Sequence, residues 1–591
     1  MANSNKPDKR LLTTATYGGG LTFNSDNAVA AEGAYSESHS SRSGWTIAAL
    51  LVALIVCLPL LSVVWLAFFP EENIWPHLYK TVLSTYVINT LLLLFGVACG
   101  TLLIGVSTAW LVTHYDFPGR ALFNWALLLP FAVPAYVIAY VYTDLLEFAG
   151  PVQSLLRGIF GWTLASDYYF PTIRSLPGAI VMMVLVLYPY VYLLARAAFL
   201  EQSASIAEAA RSLGVSRTAR VVHIALPMAR PAIVVGLSLV MMETLNDYGT
   251  VDYFAVRTLS AGLYDVWLGM NNLGGGAQIA TLLLIFVMVL IGLEKSSRRH
   301  QQNFQPAATR FRQVERTRLS QSRALLATVA CALPVLLGFA VPAWILTRYA
   351  ITYFTQVWGP DFLLSALHSI VLSSIAALAA VAIGVLLSYS KRLHPTKSMK
   401  LSVGVASLGY AVPGAVLAIG VMIPFSALDN TIDALSTRWF GYSTGLLLSG
   451  TVFALIFAYT LRFLAMAYGS INSSMKKISP SMDDAARSLG HAPGTILRTV
   501  HLPLIRGGML TAALVVFVDC MKELPATLVL RPFNFDTLAT QVYQYASDEL
   551  IGQSALYALF IVVVGLIPVI LLSVKIDHSQ QLDATTGGDR Y

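Results

Sequence analysis

Apolar runs dominate the chain from residue 45 to residue 575, and short polar or basic segments interrupt them. A bilayer-spanning helix needs about 20 mostly apolar residues. On that basis six spans are predicted in the first half, near 45–69, 83–112, 121–147, 176–200, 231–254 and 277–293. Six more follow near 324–347, 363–389, 400–427, 443–468, 507–530 and 554–575. The runs are continuous rather than alternating over about ten residues, so helices and not a closed barrel are expected. The third and ninth spans carry internal proline.

Composition agrees with this reading. The 591 residues are 56% hydrophobic and 12% charged, against about 25% charged in soluble domains. The net charge of +7 does not point to nucleic acid, because the basic residues cluster between apolar spans. The segment 294–323 holds eight of them (Lys295, Arg298, Arg299, Arg310, Arg312, Arg316, Arg318 and Arg323). With twelve spans, this linker and both termini fall on one side, which the positive-inside rule makes the cytoplasm. Residues 1–44 form a polar tail with no sustained apolar run, expected to be disordered and unlike a signal peptide. The expected layout is a tail (1–44), a first six-helix unit (45–293), a basic linker (294–323), a second unit (324–575) and a tail (576–591). Cys57, Cys99, Cys331 and Cys520 lie in apolar segments without metal-ligand spacing and read as small hydrophobes.

One polar loop occurs twice. Glu208–Pro227 reads EAARSLGVSRTARVVHIALP, and Asp484–Pro503 reads DAARSLGHAPGTILRTVHLP. Twelve residues separate Gly214 from Pro227 and Gly490 from Pro503. The duplication extends further: Asn89-Thr90 matches His368-Ser369, and Val133-Pro134-Ala135 matches Val412-Pro413-Gly414. Two six-span units of like orientation are related by an axis along the membrane normal, with one interface between them as the natural path. In each loop copy Glu208 or Asp484 is expected to open a short helix, where its charge suits the helix dipole. Gly214 or Gly490 then ends that helix in a left-handed conformation. A second short helix is expected to be broken by Pro227 or Pro503 ahead of the next span.

Acidic residues also recur inside the membrane. Adding the loop offset of 276 places Glu243 on Asp519 and Asp247 on Glu523. Each half thus sets two carboxylates one helical turn apart, predicted to share a face in the outer half of the span. Charge in lipid is costly and usually faces a watery path; the alternative is structural pairing, with Lys522 neutralising one acid. Such acids repel oxyanions, and with Tyr248 and Tyr253 nearby they suit a hard cation. Iron, a polyamine and thiamine all remain open on this chemistry.

The repeated loop resembles the signature of permease subunits of binding-protein-dependent ABC importers: EAA, three residues, Gly, nine residues, Ile, one residue, Leu-Pro. Glu208, Ala209, Ala210, Gly214, Ile224, Leu226 and Pro227 match it, with Arg211 inside the motif. The second copy (Asp484, Ala485, Ala486, Arg487, Gly490, Leu502, Pro503) departs at Asp484 and Val500. The resemblance implies an all-α type I importer permease fold, with two cytoplasmic P-loop ATPase subunits docking at these loops. ATP and magnesium would then sit on those partners, with no cofactor or fixed metal on this chain. The chain itself has no GxxxxGK[ST] loop to cradle nucleotide. The segments FPTIRSLPGAIVMMVLVLYPYVYLLARAAF, ETLNDYGTVDYF and MKELPATLVLRPFNFDTLAT look like ferric-iron importer permeases. That similarity implies a periplasmic iron-binding protein as donor and a Gram-negative inner membrane. An ion-coupled secondary transporter, whose acids would relay protons, is the rival from another class.

Overall fold

The computed structural model describes residues 44–202, 210, 212–299 and 316–585. Among these, eleven helices are long and apolar enough to cross a membrane, and a bent pair brings the number to twelve. The spans, in chain order, are Gly44–Phe68, Leu83–His114, the bent pair Arg120–Ala132 and Ala135–Phe160, Leu176–Leu200, Val221–Asn246 and Leu273–Ser297. The second half supplies Gln321–Thr352, Pro360–Leu393, Gly414–Phe440, Val452–Met475, Pro493–Met521 and Ile551–Ile570. A two-residue parallel bridge, Tyr115 with Thr317 and Asp116 with Arg318, is the one sheet element among the described residues. The chain is therefore an all-α multi-pass membrane protein.

In the second span the buried threonines are satisfied locally. Thr90, Thr101, Thr108 and Thr113 each donate to the carbonyl four residues back, at 2.6–2.8 Å. The hydroxyls thus make no demand on lipid. Between spans, small residues allow close approach. A side chain on Gly105 would meet the backbone nitrogen of Tyr192 at 3.0 Å, and one on Gly384 that of Tyr468 at 3.2 Å. The same packing of second on fourth span thus recurs as eighth on tenth.

The third and ninth spans are broken, where continuous helices were expected. Val133 and Pro134 are extended (ψ 121° and 145°), and the helix restarts at Ala135 after a 91° bend. Val412 and Pro413 are extended likewise (ψ 125° and 139°) before Gly414. Proline pushes its predecessor out of the helical region and offers no N–H, so the apolar run does not remain one helix. The fifth and eleventh spans also stop early, at Asn246 and Met521, rather than running to 254 and 530. Short helices Gly249–Tyr253 and Pro525–Leu530 follow. The sixth span is longer than expected and runs helically to Arg299, into the basic linker; the last helix reaches Thr585.

The returning segments after these breaks are held in the same way in both halves. Asn89 Nδ2 donates to the Arg257 carbonyl (2.9 Å), and Thr90 Oγ1 accepts from the Leu259 amide (3.0 Å). His368 Nδ1 meets the Asp536 carbonyl (3.0 Å), and Ser369 Oγ accepts from the Leu538 amide (2.8 Å). The repeated pairs Asn89-Thr90 and His368-Ser369 are clamps on those segments.

The halves do not meet at one simple interface. The first span packs against Gly414–Phe440 of the other half, where Ser62 Oγ donates to the Gly420 carbonyl at 2.8 Å. The seventh span lies beside the bend of the third: Tyr142 donates to the Leu337 carbonyl (2.7 Å) and Tyr349 to Asp144 (2.6 Å). Two apolar cores result, and each draws residues from both halves.

Candidate functional site

Two features stand apart from ordinary packing: the paired loops at one end of the bundle and a cavity between the halves. In the second loop the helix runs Pro480–Ser488, capped by the Ser479 side chain. It begins four residues earlier than expected, because serine followed by proline is a strong start signal. Asp484 is therefore exposed in mid-helix, while Asp483 is the acid of the first turn. Ala486 is buried, and Ala485 and Arg487 are exposed. Gly490 is left-handed (φ +81°), with the Gly490 amide on the Arg487 carbonyl (2.9 Å) and the His491 amide on that of Ala486 (3.1 Å). These bonds form a Schellman end.

The first copy has the same end, with Gly214 at φ +75° and the Val215 amide on the Ala210 carbonyl at 3.0 Å. Ala210 is buried, as Ala486 is. Glu208, Ala209 and Arg211 lie outside the described residues. Nothing lies within 4 Å of a side chain built on either glycine, so the left-handed backbone, not space, requires glycine there. The tips expose Leu213 (81%) and Leu489 (77%), which sequence reasoning did not single out.

Pro227 and Pro503 do not break the helix as expected. Each lies in the first turn of a helix that continues from a five-residue π-turn, Val221–Ala225 or Leu497–His501. The wider turn removes the need for a proline N–H and keeps its ring clear of the preceding turn. The second segment of each loop is therefore continuous with the fifth or eleventh span.

Behind the second loop Arg392 donates to Asp483 (2.7 Å) and to the carbonyls of Met475 (2.9 Å) and Ile478 (3.0 Å). His501 approaches the same carboxylate at 2.8 Å. The first copy has Ala207 and Ala225 where the second has Asp483 and His501.

The cavity, of about 90 Å³, is lined by all four predicted acids, Glu243, Asp247, Asp519 and Glu523. They do not, however, share uninterrupted helix faces. Asp247 and Glu523 sit at the breaks and cap the short helices that follow. Asp247 accepts from the Thr250 amide (2.8 Å) and hydroxyl (2.7 Å), and Glu523 from the Ala526 amide (3.1 Å). Gly249 and Pro525, at matching positions, interrupt what the apolar run suggested was one helix.

Counter-charges come from the second half alone. Lys522 pairs with Asp519 at 2.8 Å, as the structural alternative anticipated, and lies over the Phe131 ring. Arg462 pairs with Glu523 at 2.9 Å, both almost wholly buried. Sequence reasoning missed Arg462, although a lone arginine in an apolar span is itself a signal. Tyr410 donates to Glu243 (2.5 Å), and Asn246 accepts from the Gly414 amide (2.7 Å), so both bonds join the halves. Four carboxylates against two cations leave the lining acid-rich. Among the described residues no three His, Cys, Asp or Glu side chains are grouped to hold a metal.

A twelve-span bundle with a broken helix in each half, a charged cavity between the halves and a repeated loop at one end defines a membrane transport subunit. The model for the inner membrane component of binding-protein-dependent transport systems matches residues 101–295 and 380–580, and the chain belongs to that family. Family members are transport subunits, with ATP hydrolysis on separate ATPases and cargo delivered by binding proteins.

Among relatives, the Fe(3+)-transport system permease protein FbpB 2 of Haemophilus influenzae is 26% identical over 537 residues, 89% of this chain and 97% of the relative. The molybdenum transport system permease protein ModB of Escherichia coli is 25% identical over 217 residues, covering 36% of this chain and 89% of its own length. The sulfate transport system permease protein CysT of Escherichia coli is 30% identical over 210 residues, 35% of this chain and 72% of the relative.

Proposed function

We propose that this chain is the fused permease of an ATP-driven importer that takes ferric iron from a periplasmic binding protein into the cytoplasm. It sits in the bacterial inner membrane with both termini inside. Two ATPase subunits dock at Glu208–Pro227 and Asp484–Pro503 and draw on the exposed Leu213 and Leu489 as apolar contacts. The continuous helix from each loop into the fifth or eleventh span carries ATPase closure to the cavity acids.

The observation that carries the cargo assignment is the acid-rich cavity, where four carboxylates face two cations. An excess of carboxylate oxygen suits a hard cation and disfavours oxyanions. The full-length similarity to a Fe(3+) permease supports this reading. The molybdenum and sulfate relatives match over about a third of the chain.

The test is uptake of radiolabelled iron, thiamine and molybdate in a strain lacking the gene and complemented with it. Restoration of iron uptake alone is expected. Restoration of molybdate or thiamine uptake with no iron uptake overturns the assignment. Glu243→Gln with Asp519→Asn is expected to cut iron uptake at least tenfold while membrane levels stay normal; unchanged kinetics would relegate these acids to structure.

A further inference from the structure

Tyrosines of both halves lie in and beside the cavity and contribute a second set of oxygen atoms. Tyr136 and Tyr140 stand one turn apart on the helix that restarts at Ala135, so they share a face. Both are at least nine-tenths buried, and neither hydroxyl has a hydrogen-bond partner among the described residues. Tyr136 lines the cavity, within electrostatic reach of Asp247 and Glu523. Tyr140 stands a turn farther on, its ring edge-on to that of Tyr253 with centroids 4.5 Å apart. Tyr543, from the second half, donates to Asp252 of the first at 2.7 Å and lies 3.3 Å from the Tyr248 hydroxyl.

A buried hydroxyl without a partner is costly to folding, and phenylalanine would fill the same space without that cost. Tyr188 and Tyr253 also lack a partner for their hydroxyls, but Tyr136 lines the acid-rich cavity and Tyr140 follows it by one turn, so this pair points to a ligand rather than to packing. Every donor in the group is oxygen, the preference of a small, highly charged cation.

We propose that Tyr136, Tyr140 and Tyr543, with Asp247, form a transient site for a trivalent hard cation beside the cavity. The site rests on the cation-importer reading and deepens it, because it names the groups that strip and hold the cargo. As the cation binds, each coordinating phenol loses its proton; Tyr543 passes its own to Asp252, already its hydrogen-bond partner, and the others release theirs to water. No electron moves.

The test uses the assembled importer in lipid nanodiscs, with and without ATP, titrated with ferric nitrilotriacetate. A tyrosinate-to-iron charge-transfer band in the visible is expected in at least one state. Tyr140→Phe and Tyr543→Phe should each reduce that band at least twofold, and Tyr136→Phe with Tyr140→Phe should reduce it further, to at most the Tyr543 contribution. The thermal midpoint of the metal-free Tyr136→Phe and Tyr140→Phe proteins should be unchanged or higher, whereas a merely structural role would lower it.

Absence of the band in both states of the wild type, or a full band in the double variant, overturns the site. The two readings can fail separately. A band without iron uptake in cells supports the site while the transport assignment falls. Iron uptake at wild-type rate in the double variant removes the site and leaves the permease intact.

Discussion

Arg462 and Glu523 show how much depends on single side chains here. Both are nearly inaccessible and paired at 2.9 Å. Glycine at position 414 makes the pair possible, since a side chain there would collide with the guanidinium and the carboxylate. Removing one member of a buried pair strands the other and costs about 3–5 kcal/mol. Arg462→Met is therefore expected to lower the thermal midpoint of the detergent-solubilised protein markedly. Arg462→Met with Glu523→Gln should recover most of the loss, because glutamine still offers an oxygen to the Ala526 amide. Equal midpoints for the single and double variants would show that the pair is not what holds this region. The acids were legible because charge in an apolar run is conspicuous and because 276 residues separate each from its counterpart. Their surroundings were not legible. Whether Asp247 caps a helix or faces a path depends on where the span ends, and periodicity does not mark that end when Gly249 and Pro525 lie inside apolar sequence.

Among the elements, the loops were read correctly in their ends and incorrectly in their continuation. Glycine after AARSL dictated a left-handed stop, and Gly214 and Gly490 supply it at φ +75° and +81°. Leu-Pro suggested a break, yet a π-turn absorbs each proline and makes the second segment of each loop continuous with its span. Pro227→Ala with Pro503→Ala restores the missing N–H and lets each π-turn relax to an α-helix. Taking up that one residue of underwinding rotates everything on the loop side by about 100° about the helix axis. The expected outcome is loss of disulfide cross-linking between Leu489→Cys and a cysteine on the ATPase, with iron uptake reduced at least tenfold and insertion normal. Cross-linking at the unaltered yield would mean that the π-turns do not set the direction in which the loops point. The third and ninth spans carry a related lesson. Their hydropathy is that of continuous helices, but the extended backbone at Val133-Pro134 and Val412-Pro413 produces the breaks, and the restarted helices bring Tyr136 to the cavity and the Gly414 amide to Asn246.

At the level of the whole molecule, the two halves are alike in their helices and unlike in their charges, and neither is a unit by itself. The same glycine contacts and the same segment clamps occur twice, at Gly105 and Gly384 and at Thr90 and Ser369. Yet Arg462, Lys522 and the Arg392 contacts to Asp483 belong to the second half. Each apolar core is built from both halves, with the first span seated on the ninth and the seventh beside the bend of the third. Sequence symmetry suggested two domains meeting at an interface, because a repeat shows which segments correspond and not which of them pack together. The intertwined packing predicts that residues 1–299 or 316–591 expressed alone will be degraded or remain sensitive to protease, since each would expose the close-packed surfaces that the other covers. Expressed together as two chains, they should reassemble, co-purify and restore a substantial fraction of iron uptake, because the spans, not the linker, hold the halves together. A protease-resistant, monomeric first half in the absence of the second would show that the shared cores contribute little. The bundle would then be two permeases joined by a tether.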